Sequence, residues 1–133
     1  MRAQDSAPLR VLVVDDYPDT RRSLRLLLRS WGYEAHEATD GADALRVAEE
    51  FRPDVVLLDL ALPGADGYEV ARALREQQVP ARPTLVALTG HTGSTDVEAA
   101  LEAGFDHFFA KPCDPGQIHF LLRACRQRLS TPV

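Results

Sequence analysis

Polar residues of a particular kind follow the apolar runs of this sequence. Four runs, at residues 11–14, 55–58, 85–88 and 108–110, are each followed by a carboxylate, a hydroxyl or an ammonium group. If the runs are parallel strands, these groups meet at one edge of one sheet, where ligands bind in open α/β folds. Their combination predicts a site that binds a divalent cation and handles phosphate. The residues concerned are Asp15, Asp16, Asp59, Thr89 and Lys111.

The three carboxylates suit a magnesium ion, which prefers hard oxygen ligands and usually keeps several waters. Taken alone, Asp15 and Asp16 have a simpler explanation, because acidic residues favour the positive end of a helix. Asp59 changes that balance, since a charge that ends a fully apolar strand needs a strong reason. Three carboxylates packed together repel one another unless a cation lies among them. We therefore expect Mg²⁺ to be bound by this cluster, in part through water.

Phosphoryl transfer to a carboxylate depends on positioning and on stabilising the charge of the phosphoryl oxygens. The metal can hold one oxygen, Lys111 a second, and the Thr89 hydroxyl a third. Asp59 is the natural acceptor, because a carboxylate can form a covalent aspartyl phosphate. Lys111 is the only lysine in the chain, and arginine is no equivalent for its compact charge. Singly, Thr89 fits a turn and Lys111 a surface charge, so the prediction depends on their joint placement.

Length and composition indicate one soluble domain. The 133 residues are 45% hydrophobic and 26% charged, which is ordinary for a globular chain with its own core. The formal net charge of −5 argues against a nucleic-acid-binding surface, so we expect no nucleic-acid partner. No apolar stretch approaches the ~20 residues of a membrane helix, and the N-terminus lacks the apolar centre of a secretory signal. We therefore expect a cytoplasmic protein with no membrane partner.

Strand-like and helix-like segments alternate along the chain, which is typical of a parallel sheet covered by helices. The third apolar run is continuously hydrophobic and is placed at the centre of the sheet, whereas the second alternates and is placed at an edge. Five strands and five helices are predicted in a single domain spanning residues 1–133, with its core at about 9–129. The helices are expected to begin near Pro18, Asp40, Asp66, Thr95 and Asp114. Apolar residues at helical spacing predict the buried stripes of the first and last helices. These are Leu24, Leu27, Leu28 and Trp31 in the first, and Ile118, Leu121, Leu122, Cys125 and Leu129 in the last.

The predicted site residues belong to short motifs spread over nearly the whole chain. These motifs are Asp15-Asp16, Asp59, Leu62-Pro63, Asp66-Gly67, Thr89-Gly90, Ala103-Gly104 and Lys111-Pro112. Together they resemble a response-regulator receiver domain. The resemblance implies a flavodoxin-like, doubly wound (βα)5 fold with strand order 2-1-3-4-5. It also implies a two-component or phosphorelay signalling role, with Mg²⁺-dependent phosphoryl transfer from a histidine kinase or histidine phosphotransfer protein to an aspartate. Such a domain promotes only its own phosphorylation and dephosphorylation and is not otherwise an enzyme.

The resemblance assigns a role to each residue of the acidic cluster. Asp59 would be the phosphoacceptor. Asp16, Asp59 and the backbone carbonyl of Ala61 would bind the metal, and Asp15 would act through water. Ala61, two residues after Asp59, has no polar group to orient an attacking water. We therefore expect the phosphoryl group to persist longer than in receivers with a polar residue there.

The resemblance also implies a switch made of Thr89 and Phe108, in which the hydroxyl moves toward the phosphate and the aromatic ring rotates inward. Phe108 has no phenolic hydroxyl, so any switching would rest on packing alone. The Lys111–Pro112 bond resembles a cis peptide of the family, which would aim the ammonium group into the site. His91, two residues after Thr89, is expected to point to solvent.

The output surface is expected on the face formed by the fourth helix, the fifth strand and the fifth helix. Phe120 motivates this expectation, because it lies off the inward stripe of the last helix. Such a face would bind a downstream protein target or a second copy of the chain as a homodimer. Residues 86–111 resemble the receivers of hybrid histidine kinases, although a stand-alone regulator is also compatible. No output domain is expected within residues 1–133.

Two alternative functions compete with the receiver interpretation. The first is an aspartate-nucleophile phosphatase of the haloacid-dehalogenase type, which also uses aspartate, threonine and lysine at strand ends. That chemistry requires an acid two residues after the nucleophile, whereas Tyr17 follows Asp15 and Pro18 follows Asp16 at this spacing. The second is a receiver-like interaction module that works without phosphorylation. The intact acidic cluster, with Thr89 and Lys111, argues against it.

Overall fold

The computed structural model describes residues 8–62, 66–78, 82–89, 97–111 and 113–130, and all ten predicted elements lie among them. The strands are β1 (Arg10–Val14), β2 (Glu34–Ala38), β3 (Val55–Asp59), β4 (Thr84–Thr89) and β5 (His107–Ala110). The helices are α1 (Pro18–Ser30), α2 (Gly41–Phe51), α3 (Gly67–Gln77), α4 (Val97–Ala103) and α5 (Pro115–Ser130). Expectations for Pro63, Gly90, His91, Thr95 and Pro112, including the cis peptide, concern positions outside the described residues.

The five strands form one parallel sheet in the order β2-β1-β3-β4-β5, which confirms the predicted fold. All five residues of β3 are buried, as expected for a central strand covered on both sides. β2 lies at an edge, and its residues alternate between exposed and buried positions over most of its length. The sheet order brings β1 and β3 side by side although about forty residues separate them in the sequence.

Two hydrophobic clusters cover the two faces of the sheet, because alternate residues of a strand point in opposite directions. Leu12 and Val14 face a cluster built with α2, α3 and α4, in which Ala44, Ala71 and other small residues allow close packing. The opposite cluster contains Val11 and Val13 and is covered by α1 and α5. Among the described residues, no helix combines the length and apolar character needed to cross a bilayer.

The expected inward stripe of α1 is only partly buried. Of Leu24, Leu27, Leu28 and Trp31, Leu28 alone is fully buried, and the other three are half-buried. The reason is that α1 packs mainly on β1 and β2 and leaves a cavity between itself and the start of α5. The stripe of α5 is confirmed at Ile118, Leu122 and Cys125.

Side chains cap three helices where the sequence predicted them to begin. Asp40 accepts a hydrogen bond from the Asp43 amide, Asp66 from the Tyr68 amide, and Asp114 from the Gly116 amide. These carboxylates satisfy amides that have no partner within the helix. Phe120 is 77% exposed on α5, which confirms that it lies off the inward stripe.

A half-buried arginine joins α3 to the residue that follows α4 and to the residue that precedes β4. Arg75 donates hydrogen bonds to the carbonyls of Gly104 and Pro83 and pairs with Asp106 at 2.7 Å. Asp106 in turn accepts a hydrogen bond from the Leu85 amide at 2.9 Å. The guanidinium therefore fixes the turn that follows α4 against the start of β4, and it leaves little room beside Gly104.

We predict that Gly104→Ala destabilises the domain more than Gly32→Ala. Both glycines have positive φ, +107° and +93°, so each substitution should cost about 1–3 kcal/mol of backbone strain. A Cβ at Gly104 would also lie 2.9 Å from Arg75 atoms, whereas a Cβ at Gly32 meets nothing within 4 Å. The clash should cost a further ~1 kcal/mol or more, because Arg75 would lose charged hydrogen bonds. Urea denaturation of both variants measures this difference, and equal losses would contradict it.

Candidate functional site

Three carboxylates meet at the carboxyl edge of the sheet, as the sequence predicted. Asp59 ends β3, and Asp15 and Asp16 follow β1, which pairs with β3 through Val14 and Leu58. Asp15, Asp16 and Asp59 each offer an oxygen, and these oxygens lie within 4.8 Å of one another. Asp15 and Asp59 are buried and Asp16 is exposed. Such a set of hard oxygen donors, open on one side, fits a magnesium ion with water ligands.

Lys111 bridges the two buried carboxylates from β5, two strands away from β3. Its Nζ donates hydrogen bonds of 2.9 Å to Asp15 and of 2.9 Å to Asp59. The side chains of Asp15 and Asp59 are 1% and 7% exposed, and that of Lys111 is 27% exposed. The backbone amide of Lys111 donates to the Thr89 carbonyl at 2.7 Å, which anchors the lysine beside β4. One ammonium group thus compensates the charges of two carboxylates that have little contact with water.

Backbone amides orient the remaining carboxylate oxygens. Asp15 Oδ1 accepts a hydrogen bond from the Tyr17 amide, and Asp59 Oδ1 accepts one from the Ala61 amide, both at 2.9 Å. In each case the donor lies two residues later, so the turn after the strand holds its own aspartate. Each buried carboxylate therefore has one oxygen on an amide and the other on Lys111, and neither can rotate without losing a hydrogen bond.

The environment of Lys111 keeps it charged. Burial alone would lower the pKa of Lys111, but hydrogen bonds to Asp15 and Asp59 and the attraction of their charges raise the pKa above its ordinary value. At neutral pH the residue is an ammonium ion, which is the form that can stabilise phosphoryl oxygens. For the neighbouring Cys113, burial raises the pKa of the thiol, so this cysteine is protonated at neutral pH.

Thr89 and Ala61, the other residues predicted for the site, also lie near the carboxyl edge of the sheet. Thr89 is the last residue of β4 and is 6% exposed, and the preceding Leu88 accepts a hydrogen bond from the Leu60 amide beside Asp59. Ala61 is exposed and touches the site through its amide. The backbone therefore brings Thr89 and Ala61 to the same edge as the carboxylates.

Phe108 lies within β5, three residues before Lys111. Its half-buried ring packs against the cluster under α2, α3 and α4, with its centroid 6.5 Å from that of Phe105. Phe109 packs on the opposite side of the sheet, so the two rings alternate as expected in a strand. The position agrees with an aromatic ring that could move between core and surface.

Sequence reasoning missed two features that border the site. Arg21 donates to the Asp15 carbonyl at 3.0 Å and to Glu37 at 2.6 Å, which ties the start of α1 to the edge strand β2. The sequence signal for this contact was the spacing of Arg21 and Arg25. They lie one turn apart on α1, so both can pair with Glu37. The second feature is a cavity of about 670 Å³ between α1 and α5, with Lys111 at its wall. Other residues that line it are Leu24, Leu27, Leu88, Cys113 and Ile118.

A doubly wound parallel sheet with an acidic cluster and a lysine at its carboxyl edge defines a receiver-type α/β domain. A family model, described as the response regulator receiver domain, matches residues 11–123. The chain belongs to this family, whose members are phosphoacceptor signalling domains of two-component systems. The acidic pocket of Asp15, Asp16 and Asp59 corresponds to the place where receiver domains bind Mg²⁺.

Individual relatives agree with this assignment. The DNA-binding response regulator MtrA of Mycolicibacterium smegmatis is 41% identical over 125 residues, which cover 93% of this chain and 53% of that protein. The transcriptional regulatory protein KdpE of Mycobacterium tuberculosis is 41% identical over 118 residues, which cover 89% and 51%. The chain thus spans about half the length of these relatives.

Solved structures of receiver domains have the same fold. The receiver domain of the sensor histidine kinase PA1611 from Pseudomonas aeruginosa has a TM-score of 0.80 and 34% sequence identity. The match covers 91% of this chain and 99% of that one. That structure contains a magnesium ion coordinated in its active site cleft. The chain is therefore similar both to a receiver of a sensor kinase and to parts of transcriptional regulators.

The prediction that this protein has no nucleic-acid partner is wrong. It was drawn from the net charge of −5, but the MtrA relatives are named as DNA-binding response regulators and KdpE as a transcriptional regulator. The net charge of one domain describes only the surface of that domain. It gives no information about the partners of relatives that are about twice as long as the matched segment. The expected homodimer is not tested by a single chain and stays a prediction.

We predict that Lys111→Met destabilises the domain at neutral pH by about 1–3 kcal/mol, because two buried carboxylates lose their shared cation. The raised pKa means that the stabilisation by Lys111 is fully present below its unfolded-state pKa of 10.5 and is lost as pH rises through the higher folded-state value. Chemical denaturation at neutral pH and at pH values above 10.5 measures the effect, and the loss should shrink as pH rises through the raised folded-state pKa of Lys111.

The matched control for this variant is Arg46→Met, which also removes the cation of an ion pair. Arg46 pairs with Asp43 on the surface and is 66% exposed, so its loss should have little effect on stability. An equal effect of the two substitutions would contradict a special role of Lys111 in compensating buried charge.

Proposed function

We propose that Asp59 is the phosphoacceptor of this receiver domain and receives its phosphoryl group from a histidine kinase or a histidine phosphotransfer protein. The observation that carries this proposal is the joint contact of Lys111 with Asp15 and Asp59, beside the exposed Asp16. It joins an acceptor carboxylate, a cation for the phosphoryl oxygens and oxygen ligands for a metal at one point. Asp59 ends the central strand and therefore has the most fixed position among the three carboxylates.

Asp16 and Asp59, with the carbonyl of Ala61, would hold Mg²⁺, and Asp15 would contribute through water. The donor set fits, because it consists of hard oxygens clustered within 4.8 Å. When bound, the ion neutralises charge that develops on the phosphoryl oxygens and on the acceptor carboxylate. The exposed Asp16 is the carboxylate that a hydrated ion can reach first.

The transfer itself requires little covalent chemistry from the protein. An oxygen of Asp59 attacks the phosphorus of the phosphohistidine, the P–N bond breaks, and the imidazole of the donor leaves. Lys111 is charged and lies 2.9 Å from Asp59, so it can follow the new negative charge onto the phosphoryl oxygens. Thr89 would donate its hydroxyl to another of these oxygens, since it ends the neighbouring strand β4.

The phosphoryl group carries a charge of about −1.5 to −2, and since the Asp59 carboxylate loses its own charge in the acyl phosphate, the net local change is about −0.5 to −1. We infer that Thr89 moves toward it and that Phe108 fills the space that Thr89 leaves. The half-burial of Phe108 on β5 supports this role. Amide exchange, with and without a phosphate mimic, would report on the face of α4, β5 and α5.

Residues 1–133 form one receiver domain in this proposal, and a cytoplasmic location is part of it. The names of the MtrA and KdpE relatives suggest that the phosphoryl state regulates DNA binding or transcription by the protein. The phosphatase alternative is not favoured, because Tyr17 is 59% exposed at the position where that chemistry requires an acid. The module that works without phosphorylation would show no acceptor activity at all.

We predict that the protein gains about 80 Da, the mass of one phosphoryl group, when it is incubated with Mg²⁺ and acetyl phosphate. The gain should vanish in Asp59→Asn, because an amide cannot form the acyl phosphate, and should vanish without Mg²⁺. Asp54→Asn is the matched control, since Asp54 precedes the same strand at its other end. Intact mass spectrometry measures the result, and a gain that persists in Asp59→Asn would exclude this acceptor.

We predict that Ala61→Asn shortens the lifetime of the phosphorylated protein by about threefold or more. An amide at this exposed position can orient an attacking water, which alanine cannot do. The effect should stay below the ~10²–10⁴ of a positioned general base, because an amide does not remove the proton. Decay of the phosphorylated species, followed by intact mass, measures the lifetime. Ala42→Asn, at an exposed position on α2, is the control, and an unchanged Ala61→Asn lifetime would contradict the prediction.

A further inference from the structure

A second pocket lies at the end of the sheet opposite to Asp59. It has a volume of about 580 Å³, within the usual range for small-molecule sites. Trp31 follows α1, Tyr33 precedes β2, and the other side is formed by one face of α5. We call it the aromatic–arginine pocket, after the residues that line it. These are Trp31, Tyr33, His119, Arg123 and Arg126, with Pro8 at the rim.

Three rings form a fixed aromatic wall in this pocket. The rings of Trp31 and His119 stack with centroids 4.1 Å apart and planes 5° from parallel. Tyr33 stands perpendicular to both, at 6.5 Å from Trp31 and 5.8 Å from His119. Trp31 and His119 are half-buried, so part of each residue is accessible to solvent. A flat ligand can therefore extend the stack or meet an edge without disturbing the core.

Two guanidinium groups make the pocket positive in an acidic protein. Arg123 and Arg126 lie on α5, one turn apart, and none of the described residues that line the pocket carries a carboxylate. Burial raises the pKa of Tyr33, and the charges of Arg123 and Arg126 both act against this rise. Both guanidinium groups are therefore near enough to Tyr33, a part of the aromatic wall, to influence its pKa. Guanidinium groups bind phosphate with two parallel hydrogen bonds, which a single ammonium cannot do.

We propose that the aromatic–arginine pocket binds a free purine nucleotide, with its base against the Trp31–His119 rings and its phosphates on Arg123 and Arg126. Aromatic rings alone would suit an uncharged ligand, and arginines alone would suit any anion. Their combination selects a flat ring that carries negative charge, and base stacking on aromatic side chains is a general mode of recognition. The pocket is separate from the acidic site, so this proposal does not depend on the phosphoacceptor role of Asp59.

Trp31 can serve as a fluorescence probe for ligand binding in this pocket. Trp31 is the only tryptophan of the protein, so intrinsic tryptophan fluorescence reports on the pocket alone. ADP and GDP should be titrated separately without Mg²⁺, so that the acidic site does not recruit them. The comparison ligands are adenosine, inorganic phosphate and a short single-stranded DNA. We expect saturable quenching by at least one nucleotide with a Kd of about 1 mM or tighter, and binding at least about tenfold weaker for adenosine and for phosphate.

Two variants assign the binding to the arginines. Arg123→Ala and Arg126→Ala should each weaken nucleotide binding by about tenfold or more, because each removes a charged partner of a phosphate. Arg72→Ala, at an exposed position on α3, is the matched control and should leave the affinity unchanged. Isothermal calorimetry provides a second readout, and unchanged thermal midpoints exclude unfolding as the cause.

Three outcomes would overturn the proposal. The first is the absence of saturable quenching and of heat with both nucleotides. The second is equal affinity for phosphate and for nucleotide, which would mean an anion site without base recognition. The third is binding of the oligonucleotide in preference to both nucleotides, which would assign the pocket to nucleic acid. Phosphorylation of Asp59 can succeed or fail independently of all three.

Discussion

The ammonium group of Lys111 between two buried carboxylates is the interaction on which the rest of the site depends. Asp15 and Asp59 are almost inaccessible to water, and burying charge without a partner is strongly unfavourable. The single lysine compensates both, while the exposed Asp16 leaves one side of the cluster open to a hydrated cation. The same contacts that stabilise the folded protein thus hold two carboxylates and an ammonium group at one point, and the proposed phosphoacceptor role of Asp59 rests on this arrangement.

The parallel sheet brings these groups together because all its strands end at the same edge. Neighbouring β1 and β3 deliver the carboxylates, and β5 delivers the lysine across β4. The turns after β1 and β3 then orient the aspartates through the amides of Tyr17 and Ala61. Among the described residues of the site none has a positive φ, and each functional side chain ends or directly follows a regular strand.

The two faces of the sheet are built differently. On the side of α2, α3 and α4, small residues pack closely and Arg75 locks the turn after α4 to the start of β4. On the side of α1 and α5, a cavity beside Lys111 and the aromatic–arginine pocket leave space at both ends. α5 borders both spaces, so one helix extends from the neighbourhood of the acidic site to the opposite end of the sheet. The half-buried side chains of α1 follow from this looser packing.

Local patterns in the sequence determined the alternation of strands and helices, the central position of β3 and the residues that close each strand. Such features depend on the period of apolar residues, which each segment carries by itself. Only the tertiary structure decided which distant side chains meet, such as Trp31 with His119, Arg21 with Glu37, and Lys111 with both buried aspartates. Burial of Leu24 and Leu27 was overestimated because a helical stripe reveals the inward face of a helix but not how closely its neighbours approach. The mistaken exclusion of nucleic acid has a related cause, since net charge averages over a surface and carries no information on where charges gather.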